Sequence, residues 1–150
     1  MIDASIPLEE LNRRNKGTLG ETLCITFTDI TPEYLEATME VGPRVHQPLG
    51  LLHGGASVAL AEHVGSMAAY LCINRSQYYT LGLEIKCNHL RSKTEGILRA
   101  RAYPVHLGRR THLWKIDITD ETQRRIAFCL LTVMVLPLDH LKGQRLPASF

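Results

Sequence analysis

The run His46-Gln-Pro-Leu-Gly-Leu-Leu-His-Gly-Gly-Ala-Ser-Val-Ala-Leu-Ala-Glu62 gathers groups that can act on a carbonyl. A Gly54-Gly55 pair at a helix start lets backbone come very close to a ligand. Helix N-termini also expose unpaired N–H groups and a partial positive charge, suited to a developing oxyanion. Gln47 and His53 flank that point with side chains able to donate hydrogen bonds. Glu62 stands in an otherwise apolar segment, where a carboxylate is costly unless it is paired or put to use. Burial of a carboxyl group disfavours its charged form and suits general-base or nucleophile work. Plainer readings stand beside these. Glu62 can be salt-bridged or edge-exposed, the glycine pair simple helix entry, and His53 a cap. Ser66, one turn past Glu62, can orient water or a leaving group, or serve with Gly65 as a small residue for close packing.

Spacing sharpens the chemistry. Gly54 and Glu62 are eight residues apart, so roughly 12 Å separates them along a helix axis. One reacting carbonyl cannot easily touch both in one chain. If both act on it, two helices must run antiparallel across a dimer interface, Gly54 of one subunit facing Glu62 of the other.

The elements that must position these groups are legible. A helix is expected from about His53 to Asn74, apolar nearly all round and therefore buried. Tyr34–Val41, Tyr79–Cys87, Gly96–Ala102 and Leu113–Ile118 alternate apolar and polar residues, as half-buried strands do. Leu23–Ile30 precedes a Thr31-Pro32-Glu33 turn, and Arg125–Leu136 follows a turn at Asp120–Gln123. A short amphipathic helix is expected near Pro7–Asn15. The order predicts an α+β fold, an antiparallel sheet wrapped around one long central helix. Residues 1–136 form a single domain and 137–150 a poorly ordered tail. Sheet edges left open invite pairing, so a homodimer or a dimer of dimers is expected.

Composition narrows the function classes. The chain has 150 residues, 45% hydrophobic and 21% charged, with a net charge of +2. That is one globular domain, too near charge balance for a protein that coats nucleic acid. Cys24, Cys72, Cys87 and Cys129 are scattered, with no C-x-x-C pair, and read as reduced small hydrophobes of a cytoplasmic protein. Met1–Glu10 lacks the features of a secretory signal, and the longest apolar stretch, Ile126–Leu136, is too short for a membrane helix. The seven histidines lack metal spacing, and the G-x-S-x-G, phosphate-loop and H-E-x-x-H motifs are missing.

With its Gly65 and Ser66 following, the stretch Gln47–Glu62 resembles the signature of hotdog-fold acyl-CoA thioesterases. Gly82–Ser92 and Pro104–Arg109 match further, so the likeness runs over about Leu8–Leu136. It points to the phenylacetate-degradation branch, which includes 1,4-dihydroxy-2-naphthoyl-CoA and enterobactin-proofreading thioesterases. The resemblance implies that Glu62 is the nucleophile or the base that activates water. It implies that the Gly54 N–H binds the thioester oxygen with help from Gln47 and His53, and that Ser66 assists. The substrate would be an aromatic or medium-size acyl-CoA, with no metal or separate cofactor. A non-catalytic acyl-CoA or acyl-carrier binding module is the alternative.

Charge is uneven. From Lys86 to Lys115 eight basic residues face one acid, Glu95, giving +7 locally and −5 elsewhere. Such a strip suits the phosphates of coenzyme A, and no aromatic platform interleaves with it to stack nucleic-acid bases. The turn residues His89, Arg91 and Ser92, and His106, Gly108, Arg109 and Arg110, are the candidate phosphate contacts, where the resemblance also places coenzyme A.

Overall fold

The computed structural model describes residues 1–141. In chain order it contains α1 (Leu8–Arg13), α2 (Leu19–Thr22), β1 (Thr26–Ile30), β2 (Leu35–Val41), α3 (Gly54–Tyr70), β3 (Tyr78–His89), β4 (Gly96–Leu107), β5 (Thr111–Thr119) and β6 (Arg125–Pro137). The six strands form one antiparallel sheet in the order β1-β2-β4-β5-β6-β3, and α3 packs on one face of it.

Alternation in the sequence sets which side chains turn inward. Along β5 His112, Trp114, Ile116 and Ile118 are buried, while Leu113, Lys115, Asp117 and Thr119 are not. Leu35, Ala37 and Met39 of β2 and Leu98, Ala100 and Ala102 of β4 add to the same inner face. Against it α3 buries Leu60, Ala61, Val64, Gly65, Ala68 and Ala69. Each large apolar side chain buried this way contributes about 1.5–3 kcal/mol. Gly65 allows the closest approach: a Cβ there would lie 2.7 Å from Leu131 Cδ2 and 3.3 Å from Ile116 Cδ1.

The helix differs from expectation in two ways. It is buried along one face only, because residues 58, 59, 62, 63, 66, 67 and 70 are intermediate in exposure. It also stops at Tyr70, four residues short of the expected end. Leu71 caps it, and the Leu71 carbonyl accepts from the Asp3 N–H at 2.9 Å, so the N-terminal segment takes an acceptor that a further turn would use.

Other boundaries shift for local reasons. β4 runs on past Ala102 to Leu107 through a bulge between Pro104 and His106, where the period-two pattern breaks. α2 had no sequence signal, being four residues with a glycine, capped by Thr18. The tail expected from Pro137 begins inside the fold: Pro137 pairs with Tyr78, and Leu138–Leu141 form a 3-10 turn whose Leu138 N–H donates to the Gln77 carbonyl. The rest of that expected tail lies outside the described residues.

The expectation of four reduced cysteines is corrected at one pair. Cys87 and Cys129 stand opposite each other on β3 and β6, their Cα atoms 4.1 Å apart, and are joined as a disulfide. A separation of 42 residues hid that pairing from the sequence. Cys24 is exposed and Cys72 half-buried, and both are free.

The basic strip is partly neutralised. Glu36, only 4% exposed, lies under Arg101 at 2.6 Å and Arg99 at 3.7 Å; Lys93 pairs with Glu121 and Lys115 with Asp117. Among the described residues Lys86, Arg91, Arg109 and Arg110 have no ion-pair partner within 4.0 Å.

The β5–β6 turn supplies an acid-sensitive tie. Asp120 Oδ1 accepts from the Thr122 and Arg124 N–H groups and the Thr122 hydroxyl, and Oδ2 from Arg124 Nε. Burial of this carboxyl opposes its ionisation, but these hydrogen bonds outweigh that and hold its pKa well below the ordinary carboxylate range. A carboxylate with a depressed folded-state pKa stabilises the fold above its unfolded value, about 3.9, and loses that contribution as pH falls below it. Asp120→Asn should therefore lower Tm at neutral pH, and the gap to wild type should narrow as pH drops below about 4. Thermal unfolding across that range checks it; a gap that stays constant with pH would refute the assignment.

Candidate active site

The N-terminus of α3 is built by the loop before it. A 3-10 turn at Pro43–Val45 leads to a loop closed by a Gln47 N–H donating to the Leu51 carbonyl, with Gly50 in the left-handed region at φ 74°. The Leu49 N–H donates to Gln47 Oε1. That fixes the amide and leaves its NH2 end as the available donor. His53 is the N-cap: its Nδ1 accepts from the Gly55 N–H at 2.8 Å. A nitrogen that accepts carries no proton, so the ring proton sits on Nε2. Of the two glycine N–H groups, Gly55's is thus occupied, and Gly54's has no partner among the described residues.

A cavity of about 400 Å³ opens at this helix end, lined by Gln47, Gly54, Ser57, His89, Arg91 and Ser92 among others. His89 packs over the helix start: a Cβ on Gly54 would lie 3.0 Å from its Nε2. Arg91 Nη1 donates to the Arg125 carbonyl at 2.6 Å, anchoring it at the rim. One pocket therefore holds an unpaired N–H, an amide donor, an imidazole and a guanidinium.

Glu62 lies elsewhere. With Ser66, Met67 and Tyr70 it lines a larger cavity of about 700 Å³, walled on the other side by residues of the Arg14–Gly20 segment. It is half-buried and faces this space rather than being sunk in the core. Gly82 of β3 is its close neighbour: a methyl group there would run into the Glu62 carboxylate. The volume falls within the range of small-molecule sites.

The expected site residues thus divide. Gln47, Gly54, His89, Arg91 and Ser92 meet in one cavity, Glu62 and Ser66 in the other, and His53 caps the helix between them. His106, Gly108 and Arg109 join neither; they sit around the β4–β5 hairpin, where His106 Nε2 lies near Gly108. His89 pairs with Ala127 of β6, and Thr111 beside the hairpin pairs with Met134. At about 3.4 Å per residue the two candidate phosphate groups are roughly 24 Å apart along that strand. Within one chain they are separate. Missed by the sequence reading were His63, Asn15 and Gly82, whose roles depend on neighbours remote in sequence.

Residues 49–127 match the thioesterase superfamily. The chain belongs to that family. Its sheet and helix are the hotdog thioesterase fold, and it is a thioester hydrolase of the acyl-CoA thioesterase type. It is 48% identical over 131 residues to the 1,4-dihydroxy-2-naphthoyl-CoA hydrolase of Escherichia coli, covering 87% of this chain and 96% of that one. It is 46% identical over 129 residues to the proofreading thioesterase EntH of Cronobacter sakazakii, with 86% and 93% covered. Among solved structures, a mutant thioesterase from Pseudomonas aeruginosa superposes with a TM-score of 0.89 at 46% identity, covering 91% of this chain and 99% of that one. A thioesterase from Haemophilus influenzae gives 0.89 at 38% identity, with 96% and 99% covered. Among the described residues of this thioesterase no helix is long and apolar enough to cross a membrane, and none of its His, Cys, Asp and Glu side chains cluster as metal ligands.

Proposed function

We propose that this thioesterase hydrolyses aromatic or medium-size acyl-CoA thioesters at sites shared between two copies of the chain. The observation that carries the reading is the division of the site. The oxyanion donor, Gly54 N–H, and the carboxylate, Glu62, open into different cavities of one protomer. Two antiparallel copies of α3 would bring each half against the other's complement. Two further features support pairing. The face of α3 bearing Val58, Ala59, Glu62 and Ser66 is only partly buried, and the edge strand β3 exposes Leu81 at 55% and Leu83 at 60%. An open apolar edge of that length is a template for another strand.

In this reading the thioester carbonyl sits against Gly54 N–H and the Gln47 amide, which take up the negative charge that develops on its oxygen. Glu62 of the partner either attacks the carbonyl carbon directly or removes a proton from the water that does. The C–S bond breaks, coenzyme A leaves as a thiolate, and water supplies the oxygen of the free acid. Ser66 orients the water or the departing sulfur. His89, Arg91 and Ser92 lie where a pantetheine-linked phosphate group would leave the helix end, and Arg91 is a suitable charge-assisted donor. The hairpin residues His106, Gly108 and Arg109 reach the same coenzyme A only from another chain.

The direct test is release of free thiol from a panel of benzoyl, phenylacetyl, hexanoyl and acetyl-CoA, followed with a thiol reagent. Faster release from the aromatic and six-carbon members than from acetyl-CoA is expected. Binding of acyl-CoA without thiol release would favour a binding module and overturn the proposal.

A further inference from the structure

The edge strand β3 has few side chains holding it to the core near the α3 N-terminus. Between Leu81 and His89 only Ile85 and Cys87 are even half-buried, and both pack against the core. Cys87 is bonded to Cys129 of β6, which is fully buried. The two stand directly opposite in the antiparallel ladder, with the Lys86–Leu130 and Asn88–Phe128 pairs on either side. Because β4 and β5 lie between them in the chain, the bond ties the outermost strand to its neighbour from across the whole second half of the sheet. The hydrolysis described above makes no use of either sulfur.

His89 lies two residues further on. Side chains two apart on a strand point to the same face, so Cys87 and His89 both turn toward α3, where the His89 ring covers Gly54. The strand ends at His89, and beyond it the Leu90 and Arg91 N–H groups donate to the Ile126 carbonyl at 2.8 and 3.2 Å. Cys87 is therefore the last side chain of β3 packed against the core before the residues that line the 400 Å³ cavity. Without the bond, a thiol offers little apolar surface to hold that strand end. An edge strand with few buried contacts is the part of a sheet that opens locally with least cost.

We propose that Cys87 and Cys129 form a reversible redox switch that sets how firmly β3 holds His89 over the Gly54 end of α3. Its effect on hydrolysis rests on the site reading above; its effect on His89 does not. The bond closes by thiol–disulfide exchange with a low-molecular-weight disulfide such as glutathione disulfide. Cys87, the half-buried member, is the one within reach. Its thiolate attacks a sulfur of the small disulfide and releases one small thiolate. The Cys129 thiolate opposite then attacks the Cys87 sulfur of the mixed disulfide and releases the second. Two protein thiols lose two protons and two electrons, and the small disulfide gains both in becoming two thiols. A reductant reverses the exchange, the strand end loosens, and acyl-CoA is held less well at the cavity that His89 and Arg91 line.

The test compares protein oxidised with glutathione disulfide against protein reduced with a water-soluble phosphine, each desalted without air. Alkylation and mass spectrometry count the thiols, and hydrolysis is followed by loss of thioester absorbance, so that no thiol reagent interferes. Reduction should raise KM for the best acyl-CoA by about fivefold or more, the low end of couplings between sites, with a smaller change in kcat. It should lower Tm by roughly 5–15 °C, as loss of one cross-link does in a domain of this size. Reoxidation should restore both. Cys87→Ala combined with Cys129→Ala should match the reduced form and ignore either treatment, while Cys24→Ala combined with Cys72→Ala should keep the full response. Ring resonances of His89 should differ between oxidised and reduced wild type, a readout that needs neither hydrolysis nor a variant. A pair that resists either reagent in the folded protein, equal KM in the two forms, unchanged His89 resonances, or a response that survives loss of both cysteines would each overturn the proposal. If neither form cleaves any acyl-CoA, the thioesterase reading fails on its own, and the His89 resonances still decide for or against the switch.

Discussion

Glu62→Gln lowers kcat on the best acyl-CoA substrate by about a thousandfold or more, while circular dichroism and Tm stay close to wild type. The size follows from the role proposed for it. A positioned general base contributes about 10²–10⁴ in rate, and loss of a nucleophile removes the covalent route as well. The small structural effect follows from placement. Glu62 is half-buried on a cavity wall and has no ion-pair partner among the described residues, so the amide fits the same space. Steady-state thiol release with the purified variant measures it, and near-normal turnover on every acyl-CoA that wild type cleaves would refute the catalytic assignment. A single turnover in heavy-oxygen water then separates the two chemistries: label in the Glu62 carboxylate marks direct attack, and label only in the released acid marks activated water.

Gly54→Pro is expected to cost about 10²–10³ in kcat, the usual consequence of deleting one oxyanion donor. Proline suits this position in backbone terms. Gly54 is the first residue of α3, where proline is favoured, and His53 before it is extended at φ −71° and ψ 131°, as a residue preceding proline prefers. The His89 ring, exposed on the far side, must give way slightly to the added carbons. Helix content should hold, so the loss reports the missing N–H. The decisive measurement mixes the two inactive proteins. If each site takes Gly54 from one copy and Glu62 from the other, co-folding Gly54→Pro with Glu62→Gln yields hybrid dimers with one intact site each. Statistical mixing makes half the dimers hybrids, so activity should recover to about a quarter of wild type. No recovery above the two separate variants would mean that both groups act within one chain.

The parts of the fold that a period could announce were legible. Strict alternation from Leu113 to Ile118 marked most of β5, and the apolar run from Ala56 marked α3. Contacts between distant segments were not. Nothing near Tyr70 signals that the Asp3 N–H will take the next helix carbonyl, so the helix was read too long. Pro104 and the bulge beside it broke the alternation that would have carried β4 to Leu107. At the site, the eight-residue spacing of Gly54 and Glu62 already set them too far apart for one carbonyl to touch both easily in one chain, because helix rise is fixed. His63 was invisible by the same logic. Its partner Asn15 is 48 residues away, and a histidine in an apolar helix has no pattern of its own. The single basic strip was likewise partly neutralised once the strands were ordered, since Glu36 of β2 lies across from Arg101 of β4.

Gly54 and Glu62 share one run of helical backbone, and in the proposed two-fold arrangement that has a mechanical consequence. Neither can move relative to the other without breaking the helix, so in that arrangement catalytic alignment would reduce to how two identical rods slide and rotate on each other. A slip of one helical turn, about 5.4 Å, would misplace both sites equally and at once. Both sites would therefore lose rate together, and in the same proportion, whenever the two rods shift.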